Sequence, residues 1–293
     1  MSDKRKRAFG DRHDGRRVRT LPPMQYVAVN IMHKRNDAQN LFASSVDYAK
    51  IEEYIKQKRD EGLTGFGFMH LIVAAYVRVV SQKPAINRYI SGLKIFARDE
   101  IILSMMVKKD MKLNSQESAI KVRFSPGDTV YDVYNKMEEQ IALARQEGDS
   151  NTFDGVARVI SYLPSLFLRG FVRLMAFLDF FGIMPKIVEE ASPFHSSVYV
   201  SNLGSLGIPP IYHHLYNFGN TPVFITFGAK RRELALNPDG TTYLKTTVDY
   251  TVVTDERTTD GHYMASALKL MEKLFHHPEK LDTAPEEIIE DID

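Results

Sequence analysis

Thr254-Asp255-Glu256-Arg257-Thr258-Thr259-Asp260-Gly261-His262-Tyr263-Met264 joins two segments whose apolar residues repeat with different periods. Upstream, Leu244, Val248, Tyr250 and Val252 share one side of a strand by period two, with Lys245, Thr247 and Asp249 on the other. Downstream, Met264, Ala267, Leu268, Met271, Leu274 and Phe275 follow the i, i+3, i+4, i+7 spacing of a helix with one buried stripe. The eleven residues therefore read as the connection from a long strand into a packed helix.

Working outward, the turn Asn237-Pro238-Asp239-Gly240 precedes that strand, and an earlier strand ends at Phe227-Gly228-Ala229. Val27, Val29 and Ile31 alternate within Tyr26 to Met32 and predict a strand, and Tyr48 to Arg59 has helical spacing with Lys and Glu outward. Ile101 to Val107 reads as a buried strand. Asp128, after Ser125-Pro126-Gly127, is the expected N-cap of a helix reaching Arg145, with Val130, Val133, Tyr134, Met137 and Ile141 on its apolar side. Strands and helices mixed without regular alternation favour an α/β or α+β layered fold over a doubly wound one. There is no internal repeat and no glycine-rich phosphate loop.

Composition narrows the function classes. The chain has 293 residues, 38 basic and 37 acidic, for a formal net charge of +1, so the bulk charge gives no support for nucleic acid as a partner. Zero cysteines exclude disulfides, thiolate metal sites and cysteine nucleophiles, and fit a cytoplasmic, reducing compartment. No pair of histidines at helical spacing with a carboxylate suggests a metal. The basic residues of Lys4 to Arg19 lack an apolar run behind them, so residues 1–22 read as a solvated flexible arm rather than a secretory signal, with anionic groups as the alternative contact. The acidic residues of 283–293 read as a frayed tail.

Val156 to Pro185 is crowded with Leu, Phe, Ile and Met, yet Arg158, Arg169, Arg173 and Asp179 interrupt it and Pro164 breaks helical continuity. No charge-free run reaches the roughly eighteen residues of a membrane span. Residues 155–186 are expected to form an apolar helical insertion packed on the core or a neighbouring subunit; a surface that touches membrane or an acyl group is the other reading.

Two motifs carry a family resemblance. Glu256-Arg257-Thr258-Thr259-Asp260-Gly261 resembles the His-x-x-x-Asp-Gly signature of the coenzyme A-dependent acyltransferases, namely the dihydrolipoyl acyltransferase core of 2-oxoacid dehydrogenase complexes and chloramphenicol acetyltransferase, with Glu256 in place of the histidine. Val198-Tyr199-Val200-Ser201-Asn202-Leu203-Gly204 resembles that family's Ile-Ser-Asn-Leu-Gly strand and turn, and Asn220-Thr221-Pro222 and Phe227-Gly228-Ala229 come after it in the same order. Met69 to Lys83 with Pro84-Ala85-Ile86-Asn87 is similar to its helix and Pro-x-x-Asn turn.

The resemblance implies a chloramphenicol acetyltransferase-like fold, a mixed sheet with flanking helices, in one domain spanning residues 23–282. It also implies a homotrimer with sites between subunits, coenzyme A or acyl-coenzyme A as co-substrate, and a small-molecule acyl acceptor. The lipoyl and subunit-binding domains of complete dihydrolipoyl acyltransferases have no counterpart, so no lipoyl attachment is expected and a free-standing acyltransferase is. By resemblance Asp260 organises the loop, and Ser201 or Ser205 donates to the oxyanion. The base is open. A glutamate near a pKa of about 4.3 is weak beside an imidazole near about 6.5, and burial would have to raise it. His262, His213, His214 and His195 are the substitutes; of the adjacent pair His213 and His214, only one can face a given site. Loss of activity, leaving a ligand-binding or assembly subunit, is the remaining reading.

Overall fold

The computed structural model describes residues 6–108, 117–146, 162 and 164–293. Its main sheet has six strands, in spatial order β2 (Gln39–Asp47), β9 (Thr242–Asp255), β8 (Val223–Leu236), β7 (Val198–Asn202), β5 (Ile101–Lys108) and β6 (Glu117–Phe124). β7 runs parallel to both neighbours and the other pairs are antiparallel. A smaller antiparallel sheet joins β1 (Gly15–Arg17), β4 (Lys94–Arg98) and β3 (Arg88–Ser91).

One face of the large sheet, with Val198, Val200, Ile225, Phe227, Val248, Tyr250 and Val252, packs in a single core with α2 (Ala49–Asp60), α3 (Phe68–Gln82), α4 (Val130–Gln146) and α7 (Gly261–His276). α3 is buried on nearly every side, as its lack of a polar face requires. Its Phe68 meets Phe227 at 5.2 Å and Phe275 of α7 at 5.7 Å between ring centroids. The stripe read from the sequence is the buried side of α7: Met264, Ala267, Met271, Leu274 and Phe275, with Leu268 packed beside them.

β8 and β9 outrun this core. A bulge between Phe227 and Lys230 marks the departure, and beyond it Leu234, Leu236, Tyr243 and Leu244 are exposed. Leu244 therefore shares a strand with the buried residues without sharing their burial. The Asn237-Pro238-Asp239-Gly240 turn closes the hairpin, with Gly240 at φ +83°.

Several sequence expectations give way. Tyr26 to Ile31 lies in a helix, α1 (Pro23–Ile31), with Met32 at its C-cap, because Pro22-Pro23 sets the backbone at its first turn; of the alternating residues only Val29 is buried. The cap of α4 is Thr129, not Asp128: Thr129 Oγ1 accepts from Asp132 N at 3.3 Å while Asp132 accepts from Thr129 N at 2.9 Å. Asp128 accepts from Ser125 N and pairs with Lys136.

The basic arm is solvated only in part: residues 6–10 are exposed, but the segment after them is docked. Arg12 is buried and donates to Ser91 Oγ at 2.8 Å and to the Asp179 carboxylate at 2.8 Å, and Val18 and Leu21 join Val29, Ile90, Ile95 and Ala97 in a second core. The acidic tail is pinned as well, since Arg88 grips Asp291 through bonds of 2.7 and 2.6 Å and Ile289 N donates to Ser81 O. Arg16 also reaches the tail, donating to Asp291 O at 2.7 Å and to the exposed Asp293 carboxylate at 2.8 Å, pairings that composition alone does not reveal.

Of the apolar segment, residues 155–161 and 163 lie outside the described residues. The rest comprises α5 (Ser165–Phe180), which begins directly after Pro164 at its N-cap, a left-handed Gly182, and the short α6 (Lys186–Ala191). Among the described residues no helix is long and apolar enough to cross a membrane.

Candidate active site

Asp255 ends β9 and is fully buried. Its carboxylate accepts from Arg257 Nε at 2.8 Å and Nη2 at 2.7 Å, and Arg35 Nε lies 3.3 Å away. Such forked pairing suits a planar guanidinium and satisfies charges that burial would otherwise penalise. Arg35 in turn donates to the carbonyls of Tyr216 and Gly219, and Arg257 to that of Met32. Asp255 O accepts from Thr258 N and Oγ1, which closes the turn.

Within this lock Glu256 is held by its backbone, whose N–H donates to Ala38 O at 2.8 Å. Its side chain is exposed and makes no hydrogen bond or ion pair to a described residue. Four positions on, Asp260 caps α7 by accepting from Tyr263 N at 2.8 Å. His262 lies exposed in the first turn of that helix.

Ser201 and Ser205 occupy the other end of the sheet. The turn after β7 is an Asx-type closure in which Asn202 Oδ1 accepts from Ser205 N, while Ser205 Oγ donates to Asn202 O at 2.9 Å. Gly204 is required here, because a Cβ would stand 2.6 Å from Gly228 O. Ser205 is thus committed to the turn. Ser201 is half-buried on β7, and its hydroxyl has no hydrogen-bond partner among the described residues.

The two ends do not meet within one chain. Ser201 is level with Thr226 of β8, and Thr226 with Thr251 of β9; Glu256 comes five residues after Thr251, one past the end of β9. At strand rise that is about 17 Å, with two strand spacings across.

Residues 207–222 run between the ends over the sheet face opposite the helices. Ile211 O accepts from Thr251 Oγ1 at 2.7 Å, and Leu215 N donates to Gln39 Oε1 at 2.9 Å. This stretch forms no strand, yet His213 and His214 still face differently. His213 is half-buried and stacked on Phe224 at 4.4 Å, whereas His214 is exposed against the edge of Tyr216. Burial, with a smaller contribution from the His214 charge, holds the His213 imidazole below its ordinary pKa, and its Nε2 is sealed from solvent without a partner. Phe194, Tyr199, Tyr216 and Phe224 line a small apolar cleft beside it.

His195 belongs elsewhere. It is buried, with Nδ1 2.8 Å from Ser192 Oγ and Nε2 3.7 Å from Asp179, in the network that also holds Arg12. Nearby, His13, Asp14 and Glu189 place ligand atoms within 4.8 Å of one another, but Asp14 already faces Arg12 at 3.3 Å and Arg98 at 3.6 Å. Two guanidiniums beside the group supply the positive charge that a cation would bring.

The Asp255–Arg257 pair is visible in the sequence as an Asp-x-Arg spacing. Arg35 gave no such signal, since only the folded sheet brings it to Asp255.

No protein-family model and no curated protein matches the sequence. Solved structures do match the fold. Dihydrolipoamide acetyltransferase of Azotobacter vinelandii superposes with a TM-score of 0.57 at 12% identity, covering 91% of this chain and 94% of that one. The cubic core of the pyruvate dehydrogenase multienzyme complex gives 0.55 at 12% identity, with coverage of 91% and 94%. A chloramphenicol acetyltransferase gives 0.50 at 13% identity, with coverage of 86% and 94%. The chain therefore has the chloramphenicol acetyltransferase-like fold that the dihydrolipoamide acetyltransferase cores share, a mixed six-stranded sheet with flanking helices.

Proposed function

We propose that this chain is an acyltransferase that takes its acyl group from a coenzyme A thioester, with a site completed between subunits of an oligomer. A trimer is the arrangement the resemblance implies. The observation that carries the reading is the rigid outward presentation of Glu256 by the Asp255–Arg257–Arg35 lock, at the opposite end of the sheet from the unpartnered Ser201 hydroxyl. A second subunit is the economical way to bring two such groups together, and it would also bury Glu256, as a working carboxylate base needs. In the Azotobacter vinelandii enzyme, a serine, a histidine and, four positions later, an asparagine have been investigated for their role in the catalytic mechanism. Glu256 and Asp260 have that spacing.

In this mechanism Glu256 takes the proton of a small-molecule thiol or alcohol as it attacks the thioester carbonyl carbon. Ser201 donates to the oxyanion that forms. When the intermediate collapses, the C–S bond breaks and the protonated Glu256 returns its proton to the departing thiolate of coenzyme A.

A second reading places the base at His213. Its unpaired, sealed Nε2 and lowered pKa describe a neutral imidazole able to accept a proton.

Release of free coenzyme A from acyl-coenzyme A in the presence of thiol and alcohol acceptors tests both. Glu256→Gln is expected to slow turnover by about two orders of magnitude or more with little change in KM. A neutral Glu256→Gln with a crippled His213→Gln transfers the role to His213. Turnover absent in the wild type but gained by Glu256→His would mark the chain as a non-catalytic relative.

A further inference from the structure

The outer surface of α5 is not used by the fold or by the proposed chemistry. Only Met175 and Asp179 of this helix are buried, with Leu168, Phe171 and Leu178 half-buried along the same side. The opposite side carries Leu166 at 79% exposure, Phe167 at 68%, Leu174, Phe177 and, just past the helix end, Phe181. Helical spacing gathers these five into one stripe, and Arg169 and Arg173 border a single edge of it. Phe177 and Phe181 touch at 4.9 Å between centroids, so the stripe is continuous at its C-terminal end.

Three observations fix what such a surface meets. Its orientation is rigid: Asp179 is held by Arg12, and Phe180 O lies so close to Gly92 that a Cβ there would stand 2.5 Å away. Its charge has one sign: from Ser165 to Leu178 there is no acidic residue, and neither Arg169 nor Arg173 pairs with an acid among the described residues. Its apolar area continues through exposed Ile183 and Ile187, with exposed Lys186 between them. A second copy of the same stripe, applied about a two-fold axis, would offer those arginines no acidic partner. An anionic bilayer offers acyl chains to the phenylalanines and phosphate oxygens to the guanidiniums at once. Phe and Leu on one side with Arg along its border is the composition of helices that lie in the membrane interface.

We propose that α5 is an interfacial anchor that seats this protein on an anionic phospholipid surface, with Leu166, Phe167, Leu174, Phe177 and Phe181 entering the acyl boundary. Arg169 and Arg173 engage the headgroup phosphates. The helix lies along the surface and does not cross it. This inference stands apart from the acyl-transfer reading and can fail without it.

The test is flotation of the full chain with vesicles of phosphatidylcholine alone and with vesicles containing equal parts phosphatidylcholine and phosphatidylglycerol. Flotation is expected with the anionic vesicles only, and to weaken as salt is added. Arg169→Gln with Arg173→Gln should lower partitioning by about thirtyfold, and Phe177→Ser with Phe181→Ser should abolish it. Both double variants alter exposed side chains and should melt within a few degrees of the wild type, so lost binding would not be lost folding. No flotation of the wild type, or flotation that both variants leave unchanged, overturns the proposal. So does a fall in molecular mass of Phe177→Ser/Phe181→Ser by light scattering where the wild type ignores vesicles, which would assign the stripe to a second copy.

Discussion

Asp255 and Arg257 grip each other across a single intervening residue, with both carboxylate oxygens taken at 2.8 and 2.7 Å, and the residue between them, Glu256, is left facing solvent. Breaking the pair from one side leaves a charge with no access to water. Arg257→Met should therefore cost about 3 to 5 kcal/mol in urea-induced unfolding. A cost below about 1 kcal/mol would show that Arg35 alone neutralises Asp255.

The two serines of the β7 turn should separate by readout. Ser201→Ala is expected to lower kcat by about a hundredfold or more and leave the unfolding midpoint in place, since its hydroxyl bonds nothing among the described residues. Ser205→Ala removes the bond to Asn202 O and should cost about 1 kcal/mol of stability while sparing kcat. The reverse pattern would move the oxyanion donor to Ser205.

Arg12 tests the docked N-terminal segment. Arg12→Leu strands the Asp179 carboxylate at the base of α5 and should destabilise by about 3 kcal/mol or more, and removing residues 1–19 should do at least as much. Unfolding curves that coincide with the wild type would return this segment to the status of a loose arm.

His195 gives a pH signature. Burial holds its imidazole below the ordinary value despite the opposing pull of Asp179, so the folded state binds fewer protons than the unfolded chain once pH drops below about 6.5. Stability is then full above that pH and is lost as pH falls toward the folded-state pKa. Raised by burial and by Asp14, the Glu189 carboxyl acts with opposite sign in the window above the carboxylate range, so the comparison must be wild type against His195→Gln. The wild type should lose more stability than the variant between pH 7 and pH 5.5 in urea melts. Parallel losses would remove His195 from the account.

What was legible in the sequence had a period or a fixed spacing. β9 and α7 announced themselves because their apolar residues repeat every two and every three to four positions, and the Glu256 turn was bounded by that change of period. α1 was misread because three alternating apolar residues outweighed the paired prolines that set its first turn. The charged ends were misread for a different reason. A count of charges predicts solvation, and nothing local tells Arg12 that Asp179 waits for it or Arg88 that Asp291 does. Arg35 stayed hidden for the same reason, so the chemically distinctive residue of the candidate site was visible while the frame that aims it was not.

The clasp between the chain ends also sets an order in time. Arg88 and Arg16 find their partners only in residues 291–293, so β1 to β4 leave the ribosome with those cations unanswered. With about two hundred residues still to be made at roughly 5 to 20 per second, the wait is on the order of ten to forty seconds. Until residues 291–293 emerge, the small sheet is a half-closed latch.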